Sequence, residues 1–70
     1  MNTITKNKII TDFETMKSFE ESARDFYLKV YADTNVRDKK TSNIFKKIAD
    51  DEQRHVEAVD KILGIIKDSL

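Results

Sequence analysis

Along the first half of the chain, Ile9, Phe13, Met16, Glu20, Ala23, Tyr27 and Val30 recur in alternating steps of four and three. That spacing gathers side chains on one face of a helix. Along the second half, Phe45, Ile48, Glu52, His55, Val59, Ile62 and Ile66 repeat the rhythm. Each row predicts the apolar seam of a long amphipathic helix. Between them the period breaks over polar residues 33–42, which predicts one turn. Flanking lines at heptad spacing widen the apolar surface beyond what one neighbouring helix covers: Phe19 and Phe26 on the first helix, and Ala49, Val56, Leu63 and Leu70 on the second. The expected fold is all-α: an antiparallel two-helix hairpin, one domain over residues 1–70, that dimerises into a four-helix bundle.

The second helix is expected over about residues 38–68, opening near Asp38, a residue type that caps helix N-termini, with Gly64 a tolerated weak spot. The first is expected over about residues 4–33. Its start has two candidates, Thr3 or Thr5, and Thr11, where Thr11 and Glu14 fit a capping box. The earlier start is preferred because Ile66 needs an apolar partner near Ile9.

Composition narrows the classes. The chain has 70 residues, one Gly, no Pro and no Cys, so it lacks the punctuation of sheets and linkers and has no disulfides to stabilise a small core. A metal, a second copy, or both are the remaining supports. Thirteen basic residues balance thirteen acidic ones, which leaves no electrostatic footprint for nucleic acid or an anionic membrane. The apolar run at residues 62–66 is too short to span a bilayer, and residues 1–6 have no apolar core like a secretory signal. The compartment expected is the cytoplasm, or a protein-bounded space opening from it.

Three residues interrupt the apolar seams: Glu20, Glu52 and His55. A carboxylate buried alone costs several kcal/mol or more. Glu52 and His55 are three apart and share a helical face. If the chain folds back near residue 37, Glu20 lies at their level, each about 25 Å from the turn at 1.5 Å rise per residue. A two-fold pairing of hairpins would double the set to four carboxylates and two imidazoles, which suits two metal ions. Oxygen ligands with some imidazole favour iron, manganese or zinc over thiophilic metals. The competing reading is a buried Glu–His hydrogen-bond network that fixes helix register.

The stretches Glu20-Glu21-Ser22-Ala23-Arg24-Asp25-Phe26-Tyr27 and Ile48-Ala49-Asp50-Asp51-Glu52-Gln53-Arg54-His55 resemble the ferritin-like di-iron carboxylate superfamily. Within it they look like the rubrerythrin branch and, given the half-size two-helix chain, the encapsulin-associated ferritins; the similarity covers roughly residues 13–66. The resemblance implies iron ligation by Glu20, Glu52 and His55, a hydrogen bond from Tyr27 to a ligand carboxylate, and oxidation of Fe(II) by dioxygen or peroxide. It implies a homodimer at least, with a higher-order ring or an encapsulin shell as further partners. The chain departs from the family where rubrerythrins add a Cys-ligated iron domain, and where encapsulin-associated ferritins carry acidic residues beside the ligand Glu; Phe19 and Ser22 stand there instead. The other classes carried forward are a helical-hairpin interaction module without chemistry and a structural zinc bundle.

Overall fold

A computed structural model describes residues 2–33, 35 and 38–69. Helix α1 runs Thr3–Ala32 and helix α2 runs Lys39–Ser69. Asn2 caps α1, its side chain accepting the Thr5 N–H at 2.8 Å. At the other end the Asp33 N–H donates to the Val30 carbonyl at 3.1 Å. Asp38 opens α2: its carboxylate accepts the Lys40 N–H and the Thr41 hydroxyl, each at 3.0 Å, while its carbonyl accepts the Ser42 N–H. These bonds occupy donors that a helix start leaves without partners. The expected turning point near residue 37 lies outside the described residues, as does Leu70.

The helices pack antiparallel into a slender hairpin 53 × 15 × 11 Å in Cα extent. Among the described residues five hydrophobic side chains are buried, all on α2: Ala49, Val56, Val59, Leu63 and Ile66. None on α1 is fully covered. The face that α2 turns to its neighbour therefore follows residues 49, 52, 56, 59, 63 and 66. This corrects the expected seam. Val56 and Leu63, expected on the flank, are 4% and 6% exposed, whereas Ile62 is 38% exposed and the His55 side chain 59%. The physical reason is size: a small Ala49 and β-branched Val56 and Val59 let α1 approach closely along this face. The line through Ile48, His55 and Ile62 is turned to the edge of that contact.

The hairpin has two unlike edges. One is polar and bridged. Lys17 Nζ meets Asp60 Oδ1 at 2.6 Å, Arg24 donates to Gln53 Oε1 at 2.7 Å, Lys67 Nζ lies 3.4 Å from Glu14, and Lys6 Nζ donates to the Lys67 carbonyl at 3.2 Å. The other is apolar and open, with Met16, Phe19 and Phe26 from α1 and Ile44, Ile62 and Ile65 from α2 all exposed. At 3.6 residues per turn, each of these stripes is offset from its helix's facing seam by roughly a quarter turn or more, in the same rotational sense. Antiparallel helices so offset present both stripes on one side of the hairpin. No helix among the described residues is long and apolar enough to cross a membrane.

Candidate metal centre

Midway along the rod, α1 contributes Glu20 and α2 contributes Glu52 and His55. One ligand atom from each lies within 4.8 Å of the others. The i,i+3 spacing sets Glu52 and His55 on adjacent turns, and the interhelix register brings Glu20 opposite. His55 Nδ1 stands 3.7 Å from Glu20 Oε1 and 3.9 Å from Glu52 Oε1. Both distances exceed hydrogen-bond length. The Glu and His side chains therefore converge without bonding one another, and the register-fixing network considered from sequence is not formed in this hairpin.

The two carboxylates are mostly covered, their side chains 19% and 23% exposed, while the imidazole reaches outward. Glu20 Oε2 is buried with no hydrogen-bond partner. An acceptor in that position carries an unrelieved desolvation cost, and a cation relieves it. Ligand atoms near 2.1 Å from a common ion sit about 3–4 Å from each other; the two His55 Nδ1 distances fall in that range, and all three ligand atoms lie within 4.8 Å. The donor set of two carboxylates and one imidazole is hard and borderline, suited to iron, manganese or zinc. By these measures the residues fit a metal.

Electrostatics favour cation approach. Residues 14–25 and 50–60, the waist around the three side chains, hold nine acidic residues against Lys17, Arg24 and Arg54. The chain is neutral overall, so its positive charge lies toward the two ends, and the waist focuses a negative potential. Lys17 answers that field. Its ammonium is held above the usual 10.5, chiefly by the hydrogen bond to Asp60, which outweighs an opposing desolvation effect, with lesser attractions from Asp60, Glu21 and Glu14 adding to it.

Tyr27, one heptad beyond Glu20, stacks on Phe45, one heptad before Glu52, with ring centroids 6.0 Å apart, and Phe26 meets its edge at 5.6 Å. These rings wall the centre on the side of the turn. The Tyr27 hydroxyl has no hydrogen bond to a carboxylate among the described residues, so the ring's packing is what the hairpin fixes. Sequence reasoning missed the Arg24–Gln53 bond, which crosses between the helices behind the carboxylates. Arg24 follows Glu20 by one turn and Gln53 follows Glu52 directly, so the pair can be read only once Glu20 is set against Glu52.

A pair of long helices meeting through carboxylate and imidazole groups defines a helical-hairpin protein with a carboxylate–histidine cluster at its waist. The chain belongs to the rubrerythrin family: that family's model matches residues 14–70. No curated protein and no solved structure matches it. Rubrerythrin-family domains typically bind iron and are often oxidoreductases, and the matched stretch contains all three clustered residues.

Proposed function

We propose that the chain is a ferroxidase, oxidising Fe(II) to Fe(III) with dioxygen or hydrogen peroxide at a two-iron centre completed by a second copy. The observation that carries this reading is the convergence of Glu20, Glu52 and His55 within 4.8 Å, with an oxygen of Glu20 buried and unpartnered. One hairpin supplies three ligand groups and a second copy would double them, so that two bound Fe(II) ions would give two electrons to the oxidant, reducing dioxygen to hydrogen peroxide or hydrogen peroxide to water with two protons taken from solvent. Glu20 and Glu52 supply hard anionic oxygens, which favour Fe(III) over Fe(II) and so draw the reaction forward. His55, on the outward edge, supplies the neutral donor and limits the accumulated negative charge. The Tyr27–Phe45 stack on the turn side and the cover over both carboxylates limit water around them, which strengthens their hold on a cation. The acidic waist gathers the substrate ion.

A helical rod encloses no cavity, so the role this supports is iron detoxification or delivery, with storage requiring a ring of copies or a surrounding protein shell such as an encapsulin. The Tyr27 hydroxyl is proposed as a hydrogen-bond donor to a ligand carboxylate in the paired state.

Oxygen consumption after addition of Fe(II) tests the proposal. The chain is expected to consume oxygen well above the autoxidation rate, and His55→Ala to reduce this to background while remaining helical by circular dichroism. A variant as fast as the wild-type chain would overturn the assignment. Tight zinc binding with no oxygen uptake would instead indicate a structural site with closed coordination.

A further inference from the structure

Three cations stand close in sequence to the ligand carboxylates: Lys17, three residues before Glu20, Arg24, four residues after it, and Arg54, two residues after Glu52. Each is held by a group outside the cluster. Lys17 Nζ meets Asp60 Oδ1 at 2.6 Å, and Arg54 pairs with Asp51. Arg24 is held on two sides. Its Nε and Nη2 both reach Asp25 Oδ1 at 2.9 Å, and its Nη1 donates to Gln53 Oε1 at 2.7 Å across the hairpin. The Gln53 amide nitrogen donates in turn to Glu57 Oε1 at 3.4 Å, which directs the amide oxygen to the guanidinium. None of the three cations bonds to Glu20 or Glu52 among the described residues. For Arg24 this is unexpected. A carboxylate followed four residues later by a basic side chain is the favoured order for an ion pair along a helix, and a guanidinium fork matches the two oxygens of a carboxylate. Glu20 and Arg24 stand in that order, both largely covered, yet Glu20 Oε2 is buried without a partner.

Resting on the metal-centre reading above, we infer that Asp25 and Gln53 are positioning residues that hold the Arg24 guanidinium off Glu20 and so keep the cluster open to a divalent cation. A guanidinium on Glu20 would supply from within the chain the positive charge that a metal supplies, and an incoming ion would first have to displace it. With Arg24 committed to Asp25 and Gln53, the unpaired Glu20 oxygen stays available. The cost of leaving it unpaired is recovered when a cation binds. Asp25 also offsets the charge of Arg24, so that the guanidinium repels an approaching cation less. The residue type at 53 follows from the same need. An amide presents an oxygen to Arg24 and a nitrogen to Glu57 together, whereas a Glu there would only accept and a Lys would only donate.

Titration of the full chain with Co(II), followed by visible absorbance, tests this. Asp25→Asn combined with Gln53→Ala frees Arg24, and this doubly substituted chain is expected to bind Co(II) about five-fold or more weakly, the scale of a charged hydrogen bond gained by Glu20. The diagnostic step is Arg24→Gln in two backgrounds. In the native chain it removes the interhelix bond and is expected to weaken Co(II) binding. In the doubly substituted chain, which has already lost that bond, it is expected to strengthen binding and recover most of the loss. A general change in charge would act in the same direction in both backgrounds. Asp25→Asn alone, at a mostly exposed side chain, is expected to show a smaller loss that shrinks as salt is added. Unchanged affinity in the single or the doubly substituted chain, or an effect of Arg24→Gln with the same sign in both backgrounds, would overturn the inference while leaving the metal centre standing. A wild-type chain that binds no Co(II) would overturn both.

Discussion

The two edges of the hairpin teach different things. One is laced by Lys17–Asp60, Arg24–Gln53 and Glu14–Lys67 and has satisfied its polar groups within the chain. The other shows bare phenylalanine and isoleucine, with an imidazole and two carboxylates at its centre and one carboxylate oxygen lacking any partner. A face that has bonded to itself specifies the register of the two helices. A face left both apolar and unsatisfied specifies something from outside the chain. The bridged edge therefore serves the open one, since the register it fixes is what sets Glu20 against Glu52 and His55.

The contrast predicts effects of decreasing size. Ile62→Lys, on the open edge, is expected to weaken self-association by about 30-fold or more, the scale of an interface anchor, while circular dichroism of the single hairpin stays helical. Asp60→Asn, two residues away on the bridged edge, is expected to leave self-association within about two-fold in the same sedimentation series. Next comes Arg24→Gln, which removes a charged interhelix hydrogen bond in a partly exposed position. It is expected to cost about 1 kcal/mol in chemical denaturation, and to loosen metal binding because Glu20 and Glu52 lose a fixed spacing. Gly64→Ala acts in the other direction. No atom stands within 4 Å of the added carbon, so the substitution is expected to stabilise α2 by up to about 1 kcal/mol, read as a melting temperature several degrees higher.

Smallest is Lys17→Gln. The raised ammonium contributes stability that is fully present below its unfolded value near 10.5 and is lost as pH climbs through its higher folded value. The difference in melting temperature between the chain and this variant is therefore expected to hold constant from pH 7 to pH 9 and to close only in stronger alkali. Added salt should shrink it, as for any exposed ion pair.

Much of this hairpin is legible in the sequence because one period runs through each half. The steps of three and four announce two helices, and Glu20, Glu52 and His55 stand out against a row of Ile, Val and Phe. Their convergence follows from counting residues outward from the turn. The row of α2 that faces α1 is not legible in the same way. Ile48, His55 and Ile62 lie a fraction of a turn from Ala49, Val56 and Leu63, and both rows are apolar, since one meets the chain's own helix and the other is left open. Periodicity shows that a face is greasy without showing which neighbour it meets; that choice depends on how closely Ala49 lets the helices approach. The bridges across the polar edge were hidden for a related reason. Lys17 with Asp60 and Arg24 with Gln53 become partners only once the register is set, and single residues in a neutral, highly charged chain carry no signal of their own.

Anomalous diffraction at the iron absorption edge from crystals grown with Fe(II) tests the central claim most directly. The account predicts a pair of peaks where Glu20, Glu52 and His55 of one hairpin meet the same residues of another. Iron peaks elsewhere on the rod, or none at all beside a well-ordered triad, would contradict it.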